Sequence, residues 1–187
     1  VKTENAITEY WNEIQTGGVV VGKWIRQLYE VIIRGLAEGR WFYDERLARN
    51  AIGFIERYCH HYKGVLAPRR IKLALWQRAM ISLIFGIVDE TGKRQFREVF
   101  CVVGRKQGKT LLASAIATYM GYAAGEYGSE IYFLAPKIDQ ADLCYSALEY
   151  NVHAEPELDA ITRSTKYRGL MIQETNTSIK KLAFSSK

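Results

Sequence analysis

The chain has 187 residues, 48% of them hydrophobic and 25% charged, with 26 Lys and Arg against 20 Asp and Glu for a net charge of +6. That is enough chain for one globular domain or one and a half, and it excludes a disordered tail, a collagen-like repeat and a disulfide miniprotein. The basic balance suits a polyanionic partner without demanding one. No apolar run approaches the ~18 residues of a membrane span, and the acid-bearing start Val1–Tyr10 lacks the apolar stretch of a secretory signal.

The first seventy residues read as helical. A short first helix breaks at Gly17-Gly18, and Trp24, Leu28, Val31, Ile32 and Leu36 recur at helical spacing in a second. Leu47, Ala48, Ala51, Ile52, Ile55, Tyr58, Cys59 and Tyr62 define the next, with Asp44 as its expected N-cap and Gly64 as its expected C-terminal glycine. Pro68-Arg69-Arg70 reads as a linker, and a further helix is expected over about Leu73–Phe85. The pattern then changes. Val99–Val103 is a continuous apolar run, as in a strand buried on both faces. The loop Gly104–Thr110 and an amphipathic helix follow it, and Ile131–Ala135 is a second buried-strand candidate stopped by Pro136. Asp139 is placed to cap a helix running to about Tyr150, and Gly169–Gln173 and Ser178–Phe184 read as strands joined by a turn at Glu174–Thr177. Strand, loop, helix, strand, helix implies a parallel α/β sheet. Cys59, Cys101 and Cys144 are odd in number and sit in apolar periodic segments, which predicts three reduced core cysteines in a cytosolic protein.

The chemistry is concentrated in Gly104-Arg105-Lys106-Gln107-Gly108-Lys109-Thr110. A phosphate-binding loop needs main-chain N–H groups converging on an anion, a lysine for the β- and γ-phosphates, and a hydroxyl for Mg²⁺. It also leaves a strand and enters a helix whose N-terminus favours negative charge. Gly108, Lys109 and Thr110 fill the last three motif positions, whereas the standard spacing puts glycine where Val103 stands, one residue before Gly104. The competing reading is a basic turn at a helix start. Against it, Arg105, Lys106 and Lys109 crowd positive charge at the positive end of a helix, an unfavourable arrangement unless an anion binds there.

The run Phe96-Arg97-Glu98-Val99-Phe100-Cys101-Val102-Val103 with its loop resembles the deviant Walker A region of tailed-bacteriophage terminase large subunits, a family in which the early glycine is often missing. In the same order along the chain, Phe54-Ile55-Glu56 with His60–Gly64 resembles the family's N-terminal helical segment, and Leu75-Trp76-Gln77 is similar to its adenine-recognition motif. Phe85-Gly86 with Thr91–Arg94 resembles the turn before its first strand, and Ala135-Pro136-Lys137 with Asp139-Gln140-Ala141 the region after its second.

The resemblance implies a P-loop NTPase fold of the additional-strand type, with a helical N-terminal subdomain over 1–70 and an ATPase core over 71–187. It implies ATP and Mg²⁺ as cofactors. Lys109 would contact the β- and γ-phosphates, and Thr110 would ligate Mg²⁺. The amides around Gly108, those of Gly104, Lys106, Gln107 and Leu111 included, would cradle phosphate. Arg105 would stabilise transition-state charge or sense the nucleotide, in cis or in trans, because a guanidinium can neutralise charge spreading over the equatorial oxygens. Gln77 would hydrogen-bond the adenine edge, with an ordinary exposed helix glutamine as the plain alternative. The implied partners are double-stranded DNA, a portal protein and a small terminase subunit, in a ring homo-oligomer working in the infected bacterial cytoplasm and docked on a procapsid.

Such an ATPase needs an apolar strand ending in an acidic pair after the phosphate loop. Ile87-Val88-Asp89-Glu90 precedes the loop and runs straight into Thr91-Gly92, so it reads as the opening of a turn. The core is therefore expected to be incomplete, without that strand or the family's nuclease, and to turn over ATP negligibly. Cys59-His60-His61 has no metal-ligand spacing around it. Basic clusters at Arg69–Lys72, Lys93–Arg97, Lys166–Arg168 and Lys180-Lys181 could touch DNA phosphates but read first as solvated surface. Trp24, Trp41, Phe42 and Tyr43 read as core rather than partner surface. Two rivals stand beside the packaging motor: another P-loop translocase such as a helicase, and a non-enzymatic module that binds DNA or protein.

Overall fold

The computed structural model describes residues 5–165 and 169–184. The chain forms two compact units that interleave along the sequence, one from residues 1–53 and 72–101 and the other from 54–71 and 102–187.

The first unit is mostly helical. Helix α1 (Ala6–Thr16) starts at Asn5, whose side chain accepts from the N–H groups of Ile7 and Thr8, and stops at Gly17 in the left-handed conformation. Helix α2 (Lys23–Ala37) follows, then β1 (Phe42–Tyr43). Helix α3 (Glu45–Tyr58) is capped by Asp44, whose carboxylate accepts from the Leu47 N–H at 3.0 Å, as expected. Helix α4 (Leu75–Gly86) runs into β2 (Ile87–Val88), which pairs antiparallel with β1. Ile7, Ile14, Tyr29, Ile32, Ala79, Leu83 and Ile87 form one core, in which Tyr10 and Tyr29 meet edge to face with centroids 5.0 Å apart. A Cβ on Gly35 would lie 2.6 Å from the Trp41 ring, so glycine is what lets that indole close over α2. After β2, Asp89 accepts from the N–H groups of Thr91 and Lys93, and its own N–H donates to the Lys93 carbonyl. Asp89 and Glu90 thus open a turn, as read from the sequence.

The second unit is a layered α/β structure. Helix α5 (Lys109–Tyr122), strand β3 (Glu130–Ala135) and helix α6 (Ile138–Ala154) are followed by α7 (Pro156–Asp159), β4 (Thr162–Thr165), β5 (Gly169–Ile172) and β6 (Thr177–Ala183). The strand order is β3-β6-β5-β4. β3 and β6 run parallel, with Tyr132 opposite Lys180 and Leu134 opposite Leu182, while β6, β5 and β4 are antiparallel neighbours. Leu148, Val152, Leu170, Ile172 and Ile179 are the centre of the core, with Ile131 and Phe133 packed against them. Helix α5 lies so close that a Cβ on Gly121 would sit 3.2–3.4 Å from the methyl tips of Ile179, Ile172 and Ile131.

Several expectations are corrected. The sheet is mixed rather than parallel, because the turn at Glu174–Thr177 folds β5 back on β6 and β4, unanticipated, extends that antiparallel run. Val99–Val103 forms no strand: Phe100 is 94% and Val102 78% exposed, and no backbone hydrogen bond reaches 99–103 among the described residues. β3 is no buried strand: Ile131, Phe133 and Ala135 are half-buried, and Tyr132 and Leu134 are exposed. Helix α3 ends at Tyr58, so Gly64 caps nothing, and Lys137 rather than Asp139 is the N-cap of α6, with Asp139 in its first turn. Of the three free cysteines only Cys59 is buried; Cys101 is exposed. Trp24 is 72% exposed and Phe42 is also exposed, whereas Trp41 and Tyr43 pack on the first core. The cluster Lys166–Arg168 lies outside the described residues.

Candidate phosphate-binding site

The segment leading into α5 has the shape its composition predicts. Lys106 (φ 63°) and Gly108 (φ 75°) both adopt the left-handed conformation, which turns successive main-chain N–H groups the same way. Glycine meets that requirement at 108 without strain; Lys106 meets it against the usual preference of a side-chain-bearing residue. Gly108 is the N-cap of α5 and offers no side-chain cap, so the N–H groups of the first turn have no partner inside the helix.

Beside this turn lies a cavity of about 290 Å³ lined by His61, Tyr62, Lys63, Lys106, Gly108, Lys109, Thr110 and Leu111. Three lysines line it and no carboxylate does. None of the three forms an ion pair among the described residues. Like charges gathered at the positive end of a helix repel one another unless an anion sits among them, so the arrangement fits a polyphosphate. For Mg²⁺ it offers the Thr110 hydroxyl, which lies near Cys144 on α6. Burial raises the Cys144 thiol, and the neighbouring Thr110 works in the opposite direction. No group of three or more His, Cys, Asp or Glu side chains able to hold a metal exists among the described residues.

The residues singled out from sequence fare differently. Lys106, Gly108, Lys109, Thr110 and Leu111 all line the cavity, whereas Gly104, Arg105 and Gln107 do not. Nothing about Gly104 demands glycine: its φ is not positive, and an added Cβ would meet only the Gln107 side chain at 3.8 Å. Arg105 is exposed at the turn. Gln77 belongs to the other unit, where its side-chain carbonyl accepts from the Ala74 N–H at 2.9 Å and caps α4, leaving the carboxamide its N–H donors.

His61, Tyr62 and Lys63 were not anticipated at this site. They follow α3 in an irregular stretch held beside α6. The His60 N–H donates to the Asn151 side chain at 2.9 Å, the His60 ring faces Glu155 at 3.3 Å, and the Tyr62 hydroxyl donates to the Leu143 carbonyl at 3.4 Å. No spacing rule ties residue 63 to residue 109, so only folding could bring them to one cavity.

A family model described as "Terminase large subunit, ATPase domain" matches residues 75–185. The terminase large subunits of Lactococcus phages p2 and SK1 are each 28% identical over 95% of this chain and 33% of their own length. The chain thus spans about a third of the curated relatives it matches. The crystal structure of the HK97 bacteriophage large terminase superimposes with a TM-score of 0.62 at 22% identity, over 75% of this chain and 28% of that one.

Proposed function

The chain belongs to the ATPase-domain family of terminase large subunits, and from that premise we propose that it is the nucleotide-binding portion of a motor coupling ATP hydrolysis to translocation of double-stranded viral DNA into a procapsid. The observation that carries this reading is the acid-free cavity at the start of α5, with Lys63, Lys106 and Lys109 around it and first-turn amides free of helical partners. Lys109 holds the β- and γ-phosphates, and the amides from Lys106 to Leu111 cradle them. The Thr110 hydroxyl would help hold Mg²⁺, which would supply positive charge against the phosphates. Gln77 would read the adenine edge through its carboxamide N–H groups, since its oxygen already serves α4. Arg105, exposed at the turn, would act on charge developing at the terminal phosphate of this or a neighbouring subunit's nucleotide.

Residues 71–187 are read as an incomplete ATPase core behind a helical segment over 1–70. The uncovered apolar run 99–103 and the exposed Tyr132 and Leu134 of β3 support this, as does the one-third span of the relatives. The strand carrying the acidic pair, and a nuclease, would belong to the longer parent. Its expected partners are a portal protein, a small terminase subunit and further copies of itself in a ring, in the cytoplasm of the infected bacterium. No described helix is long and apolar enough to cross a membrane.

The test is thermal unfolding with and without Mg-ATP. A ligand that binds only the native state stabilises it by about 2.7 kcal/mol at roughly 100 Kd. An upward shift in Tm that Lys109→Ala abolishes supports the site. No shift at millimolar nucleotide favours a non-enzymatic binding module. In a phosphate-release assay this chain should show negligible turnover; robust hydrolysis lost in Lys109→Ala but kept in Asp89→Ala and Glu90→Ala would overturn the reading of an incomplete core.

A further inference from the structure

We propose that Lys63 is a second-wall contact for the nucleotide's polyphosphate, supplied from the stretch His61–Lys63 rather than from the phosphate loop. The inference rests on the nucleotide reading above and adds to it a residue outside the loop motif. The cavity is bounded by two segments far apart in sequence, 61–63 and 106–111. The second supplies Gly108 and two lysines, Lys106 and Lys109; the first contributes a third lysine, Lys63. A phosphate chain carries charge on every side, so a loop that cradles it from one direction leaves oxygens for a cation from another.

The wall is built, not loose. Its start is pinned by the His60 N–H bond to Asn151 and by His60 and Arg70 both facing Glu155, at 3.3 and 3.2 Å. The His61 N–H donates to the Arg69 carbonyl at 2.9 Å, and the Ile71 N–H to that of Cys59 at 2.8 Å, so the stretch is closed into a short two-stranded bridge. Tyr62 ties its middle to α6, with its hydroxyl on the Leu143 carbonyl and its ring 6.4 Å from that of Tyr150. Lys63 then projects from an anchored base, its ammonium 5.0 Å from the centre of the Tyr62 ring. The acid whose charge it influences is Asp142, and that carboxylate already accepts from Lys181 and from Ser146. Lys63 itself forms no ion pair among the described residues, so its charge remains for a ligand in the cavity.

Calorimetric titration of the whole chain with Mg-ATP, Mg-ADP and AMP tests this. Lys63→Ala should weaken ATP about tenfold, ADP less and AMP under about twofold, because a lysine acting as a point charge counts phosphates. Lys63→Arg should hold ATP affinity within about threefold of the parent. If Lys63→Ala leaves ATP within about twofold while Lys109→Ala weakens it tenfold or more, the second wall is wrong and the nucleotide site stands. A uniform loss across ATP, ADP and AMP that arginine does not rescue makes Lys63 structural and overturns the proposal. Saturable ATP binding that is absent, or indifferent to Lys109→Ala, overturns the nucleotide reading and this one with it.

Discussion

Residues 99–103 and 131–135 are both five-residue runs of aliphatic and aromatic side chains, with a cysteine inside the first, and each precedes a loop and a long helix. One is a strand and the other is not. Ile131–Ala135 finds six-residue pairing as part of β3, register-matched to β6 from Glu130↔Ser178 to Ala135↔Ala183, and Ile131 and Phe133 face the core shared with α6. Among the described residues Val99–Val103 finds no backbone partner, and Val99, Phe100 and Val102 stay exposed. A β-strand is half of an interaction: its N–H and C=O groups stay in water until a neighbour offers complementary ones, and its apolar side chains contribute only when something packs over them. The turn at Lys106–Gly108 follows the unpaired run and still adopts its left-handed residues, because that conformation is local.

The largest difference to test is energetic. Ile179→Ala, on the strand that pairs with β3 and fully buried, should cost about 2–5 kcal/mol, read from the urea midpoint. Phe100→Ala should stay within about 0.5 kcal/mol. A large cost for Phe100 would mean that 99–103 packs against something after all. Amide exchange sharpens the contrast residue by residue: the amides of β3 that donate in its ladder with β6 should be protected, and those of 99–103 should exchange near the unfolded rate.

Thiol chemistry gives a smaller, local measure. Burial pushes the Cys59 thiol up to about 12, whereas Cys101 lies exposed within the unpaired run. A disulfide reagent at pH 8 should therefore label Cys101 within seconds to minutes, and Cys59 only on unfolding. The smallest effect concerns the anchoring of β6 to α6. The Lys181 bond holds the Asp142 carboxyl below its ordinary value of 3.8. A depressed folded pKa adds stability above that value and loses it as pH falls through the folded one. Asp142→Asn should thus be slightly destabilising at pH 7, with the deficit fading below about pH 4 in parallel denaturation series; the pair is largely exposed, so the effect is screened.

Most helices were legible in the sequence, since burying one stripe of a helix requires apolar residues at a 3.6-residue period. The Asp44 cap, the stop at Gly17, the Asp89 turn and the β5–β6 hairpin were legible for a related reason: each depends on residues within a few positions of one another. That Lys106, Gly108, Lys109, Thr110 and Leu111 gather at one tight turn was legible because such a turn is also local. What periodicity could not supply was the outer surface. Trp24, Leu28 and Val31 repeat perfectly and yet face solvent, because a period says which residues share a helix face, not whether anything covers that face.

By itself, then, the sequence determined the helices, the turn that opens α5 and the charges placed around it, all properties of short stretches of chain. Only the tertiary structure decided that the sheet is mixed, that 99–103 is unpaired, and that Lys63 shares a cavity with Lys109. Each of these depends on groups distant in sequence meeting in space, which is settled by hydrogen-bond partners and cover rather than by spacing along the chain.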